Sequence, residues 1–481
     1  MTHTQYDMKK LFFLFLFVLT VTQMRSQSFG QLISRLNSLP ESQRQAVADS
    51  FMTAGHTFPF VEADTLVHFV YNSAAQSVVL AGDATEWNPS QPFTNISGTT
   101  FRYCTASYET DARLDYKFVI NGSNWILDPN NRFTCTGGFG PNSELRMPAY
   151  QVPPETAYYS IIPHGTILDT TFYSNLLGNS RPVRIYLPPG YPSGSEAYPL
   201  ILFHDGPEYL SLGNAANILD YLIAQHLMLP VIGIFVPPVD RTAEYAGNKI
   251  DLFTGFIITE LMPVVDARFR TSRHPAKRAM AGASDGGNIS LYIGMKHPEQ
   301  FGKIAAQSSD VISVISGTFS GSPKLNLELY LDIGTYDLAV LIPMVHGLRD
   351  ILQAKGYSFL FREWHEGHSW GNWKGHLRLP LLQFFPISSG LNTPQDHHGM
   401  KLEQNRPNPF HGRTIIPFSA PAGSNVEITL SDLSGRIVET LFSGSVSATE
   451  NILEYLHKSL PGEYILTLKE GKSTQTSSQR R

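Results

Sequence analysis

Gly282-Ala283-Ser284-Asp285-Gly286-Gly287 is the stretch of sequence that decides the fold. It has the form G-x-S-x-G, which is typical of a nucleophile elbow, a sharp turn between a strand and a helix that projects a serine hydroxyl. Residues 279–281 predict the end of a short apolar strand, and residues 288–295 predict a helix. The glycines around Ser284 allow the close approach and unusual backbone angles that such a turn needs. A glycine-rich surface turn with an inert serine is the alternative.

The size and charge of the chain limit the number of domains and the kinds of partner that can be expected. The chain has 481 residues, of which 42% are apolar and 16% charged, so a sizeable core in about three domains is expected. The net charge is -5 and no basic block is present. Nucleic acid and anionic membrane surfaces are therefore not expected partners.

The N-terminus resembles an export signal. Met8-Lys9-Lys10 is basic, residues 11–21 are apolar and uncharged, and Met24-Arg25-Ser26 ends on a small residue. This pattern predicts a secretory signal peptide over residues 1–26, with Met8 as an alternative start. A short membrane anchor is the alternative, although the run is too short to span a bilayer.

Export would place the two cysteines, Cys104 and Cys135, in an oxidising compartment. A disulfide between them is then one expectation. Two unpaired buried thiols are the other, because the sequence gives no distance between them.

The chain divides into regions of different pattern. Residues 27–58 hold a helical segment, with apolar residues at helical spacing, and residues 59–150 read as all-β, with Asn121-Gly122 as a tight turn between two strands. Residues 389–400, with His397-His398, form a polar linker in which a metal site is not expected. Residues 401–481 return to strands and suggest a small β-sandwich.

Between residues 158 and 388, apolar strands alternate with helices, which predicts a doubly wound, mostly parallel α/β sheet. The predicted strands are residues 200–203, 231–236, 278–281, 329–333 and 358–362. The predicted helices are residues 214–225, 249–265, 289–295 and 341–354. Functional residues are expected at the carboxyl ends of the strands.

A serine hydroxyl needs a base, usually a histidine that a carboxylate orients, and here both are sought downstream of Ser284. His368 follows the last predicted strand and is the best candidate. His365, which we expect to be buried as packing, and His376, which we expect to be solvated on the final helix, are its rivals.

The acid is sought on the loops at the strand ends. Asp337 follows the penultimate strand, 53 residues after Ser284 and 31 before His368. Asp332, which lies within the strand, and Asp310 are its rivals.

The developing oxyanion needs two backbone N–H donors. One is expected from Asp285, directly after the serine. The other is expected from the loop His204-Asp205-Gly206-Pro207 after an early strand, with Asp205 and Gly206 as the donors.

Taken together, these motifs resemble the esterase branch of the α/β-hydrolases, which includes enterochelin, feruloyl and acetyl-xylan esterases. The resemblance covers about residues 158–388. Its marks include Arg184-Ile185-Tyr186-Leu187-Pro188-Pro189-Gly190-Tyr191, Phe203-His204-Asp205-Gly206, Arg241 with Glu244-Tyr245, Pro298-Glu299-Gln300-Phe301-Gly302 and Glu366-Gly367-His368-Ser369-Trp370. The resemblance implies Ser284 as nucleophile, His368 as base and Asp337 as acid. Arg241, Glu244 and Trp370 are candidates to contact substrate, and a structural ion pair is the alternative for Arg241 and Glu244.

Residues 59–150 resemble an early-set β-sandwich of the glycogen-binding type. Its marks are Gly82-Asp83-Ala84-Thr85-Glu86-Trp87-Asn88-Pro89, Tyr116-Lys117-Phe118 and Asn121-Gly122-Ser123-Asn124-Trp125. The resemblance implies that Trp87 and Trp125 stack on sugar rings and that Lys117 donates to sugar hydroxyls. A spacer or substrate-shaping cap, with the tryptophans as markers of the fold, is the alternative.

The C-terminal region, residues 401–481, resembles a type IX secretion sorting domain. Its marks are Leu402-Glu403-Gln404-Asn405-Arg406-Pro407-Asn408-Pro409-Phe410, Asp432-Leu433-Ser434-Gly435-Arg436 and Pro461-Gly462-Glu463-Tyr464. The last ten residues are polar, which departs from the usual ending. The resemblance implies a secreted or surface protein that the type IX machinery exports.

The expected protein is therefore multidomain, with a central α/β-hydrolase flanked by N-terminal and C-terminal β-sandwiches. Its expected activity is that of an exported serine esterase, without metal or cofactor, acting on feruloyl or acetyl esters of a plant or bacterial polysaccharide. A siderophore esterase, a non-catalytic carbohydrate-binding protein and an acyltransferase are the alternatives.

Overall fold

The computed structural model describes residues 28–193 and 195–387 and, towards the C-terminus, residues 400–402, 405, 413–421, 423–431, 437–446, 450–456, 463–470 and 473–480. The predicted signal peptide and residues 389–399 of the predicted linker, with His397 and His398, lie outside the described residues. The described residues up to Ile387 form one unit and the later ones form a second. Within these residues, no helix has the length and apolar character needed to cross a membrane.

Two helices begin the first unit, α1 (Phe29–Ser38) and α2 (Glu41–Met52). Helix α1 starts with a capping box, in which the Ser28 hydroxyl accepts the Gln31 N–H and the Gln31 side chain accepts the Ser28 N–H. Phe29, Leu32 and Leu36 are buried, as their helical spacing predicts. Helix α2 also lies within the predicted helical segment, residues 27–58, and it buries only Ala48 and Phe51.

Ten strands follow, in the region predicted to be all-β. They are β1 (Phe60–Glu62), β2 (Leu66–Asn72), β3 (Val78–Gly82), β4 (Gln91–Pro92), β5 (Thr94–Asn95), β6 (Phe101–Ser107), β7 (Arg113–Ile120), β8 (Asn124–Ile126), β9 (Thr134–Gly137) and β10 (Gly140–Arg146). Asn121, Gly122 and Ser123 connect β7 to β8, and Asn121 and Gly122 both have positive φ (52° and 81°), the conformation that an Asn-Gly pair favours in tight turns.

These strands form two sheets around one apolar core. One sheet has the order β1-β2-β6-β5, and the other contains β3, β4, β7, β8, β9 and β10. Val67 and Phe69 of the first sheet pack with Leu80, Tyr116 and Phe118 of the second.

The predicted disulfide does not form, because Cys104 and Cys135 are both free and buried. Cys104 lies on β6 of the first sheet, and Cys135 lies on β9 of the other. Burial raises the pKa of each thiol to about 11. The structure therefore contains two unpaired buried thiols, as the alternative expectation has it.

The predicted α/β region forms a mixed sheet of eight strands. They are β11 (Thr166–Ser174), β12 (Asn179–Leu187), β13 (Leu200–His204), β14 (Ile232–Val236), β15 (Arg278–Ala283), β16 (Lys303–Gln307), β17 (Glu328–Tyr336) and β18 (Ser358–Gly367). The order is β11-β12-β14-β13-β15-β16-β17-β18. Strands β13 to β18 are parallel, and β11 and β12 are antiparallel at the edge.

Helices cover both faces of this sheet. They are α3 (Gly206–Ser211), α4 (Ala215–Ala224), α5 (Arg241–Tyr245), α6 (Ile250–Gly255), α7 (Met262–Arg268), α8 (Asp285–Lys296), α9 (Ser313–Gly321), α10 (Leu341–Ala354), α11 (Trp370–His376) and α12 (Arg378–Phe384), with a π-helical turn (Phe256–Leu261) between α6 and α7. Leu200 and Leu202 of β13 pack on one face with α6 to α10, whereas Ile201 and Phe203 pack on the other with α3, α4, α11 and α12. The five predicted strands and four predicted helices are present, and β16 is the core strand that the prediction missed.

The sheet continues from the α/β region into the N-terminal strands. Strand β18 pairs in parallel with β7 through Glu366 and Arg113. This bridge brings the N-terminal strands to the end of β18, immediately before His368.

The second unit is strand-rich. Its strands are β19 (Lys401–Leu402), β20 (Arg413–Ser419), β21 (Asn425–Ser431), β22 (Ile437–Ser445), β23 (Glu450–Leu456), β24 (Glu463–Glu470) and β25 (Ser473–Arg480). They form two sheets, β19-β20-β23 and β22-β21-β24-β25. Ile416 and Phe418 pack with Ile428, Leu430 and Leu466 in its core.

Candidate active site

Ser284 occupies a sharp turn between β15 and α8. Its backbone angles (φ 57°, ψ -129°) lie in a region that residues with side chains rarely adopt, at a cost of about 1–3 kcal/mol. Hydrogen bonds hold the turn: the Ser284 N–H donates to the Gln307 carbonyl at 2.9 Å, and its carbonyl accepts the Gly287 N–H at 2.9 Å. The G-x-S-x-G stretch therefore adopts the predicted strand–turn–helix geometry.

The motif glycines are required by close packing. A Cβ on Gly282 would collide with the Gly286 carbonyl, and one on Gly286 would lie 2.9 Å from the Asp205 carboxylate. The elbow can therefore pack directly against the loop that follows β13.

His368 and Asp337 form a hydrogen-bonded pair. Asp337 follows β17 and His368 follows β18, and because these parallel strands are neighbours, their carboxyl ends lie side by side. His368 Nδ1 lies 2.7 Å from Asp337 Oδ1, which also accepts the Leu338 N–H at 2.8 Å. The Asp337 side chain is fully buried, whereas the His368 side chain is 19% exposed.

One cavity of about 830 Å³ contains both Ser284 and His368 in its walls. The α/β region also contributes Asp205, Glu208, Pro237, Pro238, Arg241, Leu338, Ser369, Trp370 and Trp373. The N-terminal strands contribute Trp87, Asp115, Lys117, Trp125, Gly137, Gly138, Phe139 and Asn142. The residues predicted to bind sugar therefore share one cavity with Ser284 and His368.

The rival acids are placed differently from Asp337. Asp332 is buried within β17 and accepts hydrogen bonds from Gln307, Tyr330 and the Ser308 N–H, and burial raises its pKa to about 6. Asp310 is half-buried, and burial, followed by the Asp285 charge, raises its pKa. Only Asp337 of the three is bonded to His368 in the described part of the chain.

Both rival histidines lie in environments other than those predicted. His365 was predicted to be buried but is partly exposed, with Nδ1 2.7 Å from Asp111. His376 was predicted to be solvated but stacks on Trp364 at 3.8 Å and bonds Glu366 at 2.7 Å. Each is therefore held by partners other than Asp337.

The predicted oxyanion donors require one correction. The Asp205 N–H donates to the Tyr245 hydroxyl at 3.0 Å, so it is not available to an oxyanion. Gly206 and Asp285 are the first residues of α3 and α8, where N–H groups have no acceptor within the helix. These two amides remain the candidate donors to an oxyanion.

Arg241 connects the β13 loop to the elbow. Its guanidinium bonds both Asp205 oxygens at 2.9 Å, the Asp285 carboxylate at 2.8 Å and the Ala283 carbonyl at 3.2 Å. It lines the cavity as predicted, but two carboxylates already balance its charge.

Glu244 is not part of the cavity wall. It is buried and forms a bidentate ion pair with Arg181, at 3.0 and 3.1 Å. The prediction of substrate contact for Glu244 is therefore wrong, and its alternative, a structural ion pair, is what the structure shows. Trp370 does line the cavity, and it packs edge-on against Trp373 at 5.0 Å.

Phe139 is a cavity residue that the sequence analysis did not identify. It lies between β9 and β10, in the stretch Gly137-Gly138-Phe139-Gly140, and is fully exposed. A large aromatic residue surrounded by glycines was a signal in the sequence, because it is unlike an ordinary polar turn.

Within the described residues, no three His, Cys, Asp or Glu side chains come together in the manner of a metal site.

The α/β region is similar to known esterases. Residues 174–324 match the family model described as "Putative esterase". The endo-1,4-beta-xylanase/feruloyl esterase of Xylanibacter ruminicola is 32% identical over 160 residues, which is 30% of this chain and 22% of that protein. The iron(III) enterobactin esterase of Escherichia coli is 28% identical over 276 residues, 54% of this chain and 67% of that protein.

A solved structure extends the likeness to the fold. The enterobactin esterase of Shigella flexneri, determined in the presence of enterobactin, has a TM-score of 0.58 at 22% identity. The match covers 67% of this chain and 94% of that one. At this identity the likeness concerns the fold, a mixed sheet with helices.

These matches support a carboxylic ester hydrolase. The family match includes Ser284 but ends before Asp337 and His368, so the roles of those two rest on the geometry of the site. A feruloyl esterase and an enterobactin esterase are among the named relatives.

Proposed function

We propose that this chain hydrolyses carboxylic esters through Ser284, His368 and Asp337, with an acyl-enzyme intermediate. The observation that carries the proposal is the cavity in which Ser284, on its strained turn, and the Asp337-bonded His368 share a wall. His368 accepts the serine proton as the hydroxyl attacks the ester carbonyl, while Asp337 orients the imidazole. His368 then donates that proton to the leaving alcohol, and water releases the acyl group by the same route in reverse.

The oxyanion is stabilised by the N–H groups of Gly206 and Asp285. Donors fixed before the reaction stabilise the developing charge without reorganisation at the moment of attack. Arg241 provides this fixation, because its guanidinium bonds the side chain of Asp205, which precedes the donor Gly206, and the side chain of Asp285, which is the other donor residue. Arg241 thus acts on the geometry of the oxyanion site.

The proposed substrate is an ester that joins a feruloyl or acetyl group to a polysaccharide. A cavity of about 830 Å³ exceeds what a short ester needs, and its N-terminal wall holds Trp87, Trp125, Phe139 and Lys117. Aromatic faces suit sugar rings and phenolic acyl groups, and a lysine suits hydroxyls. The likeness to a feruloyl esterase supports the same class of substrate.

A siderophore ester is the second candidate, favoured by the likeness to enterobactin esterases. A ferric catecholate complex is anionic. The cavity offers Lys117 and Arg241 against three carboxylates, Asp115, Asp205 and Glu208, and Arg241 is already neutralised by two carboxylates. The charge of the cavity therefore favours a neutral ester.

The regions around the core suggest export and a substrate-shaping role. The sequence of residues 1–26 supports a signal peptide, and the motifs of residues 401–481 support a type IX sorting domain and a secreted or surface location. The N-terminal strands are proposed to form an early-set β-sandwich that acts as part of the substrate cavity, in keeping with the cap alternative.

The test is a substrate panel with the purified chain and its Ser284→Ala variant. The panel contains p-nitrophenyl acetate, methyl ferulate, a feruloylated arabino-oligosaccharide, acetylated xylan and a catecholate-serine ester. We expect hydrolysis of the acetyl and feruloyl esters, and at least a 10³-fold lower rate for Ser284→Ala. Equal rates for both proteins would contradict the enzyme proposal, and preference for the catecholate ester would favour the second candidate.

A further inference from the structure

Arg113 is a fully buried arginine that connects the N-terminal strands to the segment carrying His368. It is the first residue of β7, and its guanidinium bonds Asp115 at 2.6 Å, Glu144 at 2.6 Å and the Ser369 hydroxyl at 3.1 Å. The Glu366 carboxylate lies 3.9 Å away. Two of its partners therefore flank His368 in the sequence.

The segment 366–371 is shaped to receive these N-terminal side chains. A Cβ on Gly371 would collide with the Arg113 guanidinium, and a Cβ on Gly367 would collide with the Asp83 carboxylate. Arg113 and Glu366 are also opposite each other in the strand pairing that joins β7 to β18. The N-terminal strands therefore contact the chain on both sides of His368, at Glu366 and Gly367 before it and at Gly371 after it.

The same network reaches the wall of the cavity. Asp83 accepts the Trp87 indole N–H at 3.1 Å and the Asp115 N–H at 2.7 Å. Asp115 and Trp87 both line the cavity together with His368. A displacement on the N-terminal side would therefore move both the aromatic wall and the histidine segment.

We propose that Arg113 is a positioning residue that holds the His368 segment, through Ser369 and Glu366, in register with Asp337. The inference rests on the proposed function, in which His368 is the base. The N-terminal strands are on this account necessary for the chemical step as well as for substrate contact. Misplacement of a reacting group by about 1 Å can lower a rate about 100-fold, so a small displacement of the His368 segment would lower the rate.

The test uses Arg113→Lys, which keeps the buried charge but cannot bond three partners in the arginine geometry. We expect kcat for p-nitrophenyl acetate to fall about 10- to 100-fold with KM unchanged. In NMR spectra without substrate, the low-field His368 Nδ1 proton, bonded to Asp337, is expected to shift or broaden. That resonance does not depend on turnover, so an inactive wild type would defeat the proposed function while leaving the positioning role testable.

Arg278→Lys is the matched control. Arg278 is also buried and bonds Asp266 at 2.6 Å, but it begins β15, at the opposite end of the strand from Ser284. We expect its kcat and low-field resonance to match the wild type. Equal losses in both variants would overturn the proposal, as would an Arg113→Lys variant with wild-type kcat and resonance.

Ser369→Ala decides the question if Arg113→Lys does not fold, because it removes one Arg113 partner and leaves Asp115 and Glu144 in place. We expect a smaller fall in kcat and a shifted resonance. An unchanged kcat and resonance would overturn the proposal. If both single variants fold, the kcat of the double variant should fall no further than that of the single variant with the larger loss. Losses in kcat that multiply would contradict a shared action of Arg113 and Ser369.

Discussion

Removal of the Phe139 ring tests whether the N-terminal wall binds the part of the substrate remote from the ester. Phe139 is fully exposed at the cavity, and Trp125 in the same wall is 42% exposed. A bound sugar or feruloyl group that covers half of an aromatic side chain would bury roughly 100 Å², worth about 2.5 kcal/mol at 25 cal/mol per Å². Ordering of the substrate and hairpin offsets part of this, which leaves about 1–2 kcal/mol.

Phe139→Ala should therefore lower kcat/KM for a feruloylated arabino-oligosaccharide about 5- to 30-fold. The value for p-nitrophenyl acetate should change less than twofold, because that ester carries no sugar or feruloyl group that could stack on the Phe139 ring. Tyr173→Ala is the matched control, since Tyr173 is a 57% exposed aromatic on β11 outside the cavity. Equal effects of Phe139→Ala on both esters, or no effect on either, would refute the reasoning.

Two further predictions concern the carboxylates near the site. Asp337→Asn should lower kcat on every ester about 10³- to 10⁴-fold, whereas Asp310→Asn should retain it within about threefold; the reverse order would contradict the assignment of the acid. Asp332 has a pKa raised from 3.8 to about 6, so its folded state holds a proton more tightly than the unfolded state and loses stability as pH rises from about 4 to 6. The free energy of unfolding of Asp332→Asn, relative to wild type, should accordingly rise by about 2.4 kcal/mol between pH 4 and 7 in urea titrations, and a pH-independent difference would contradict the assignment.

The parts of the site that depend on local sequence were predictable. The elbow was identified because its glycines and its strand–helix context are all within a few residues of Ser284. Asp337 was separated from Asp332 because a residue after a strand can reach the sheet edge, whereas a residue within it packs inside. The structure places the two as expected, one beside His368 and the other among buried polar groups.

The parts that depend on contacts between distant segments were not predictable. Nothing in the sequence around Glu244 indicates that Arg181, 63 residues earlier, takes both its oxygens. The engagement of the Asp205 N–H by Tyr245 is hidden in the same way. The largest gap was the position of Trp87 and Trp125, whose motif predicts sugar stacking but gives no sign that they face Ser284 across one cavity. The β7–β18 pairing brings the N-terminal strands next to the α/β region, and it joins residues more than 250 positions apart.

Covalent labelling of Ser284 tests the central claim most directly. The full chain is incubated with an organophosphate ester such as diethyl p-nitrophenyl phosphate, and the modified peptide is identified by mass spectrometry. We predict one adduct per chain, on Ser284, with loss of all ester hydrolysis in proportion to labelling and no adduct in Ser284→Ala. Ester hydrolysis that persists when Ser284 is fully labelled, or an adduct on another residue that abolishes hydrolysis, would contradict the account.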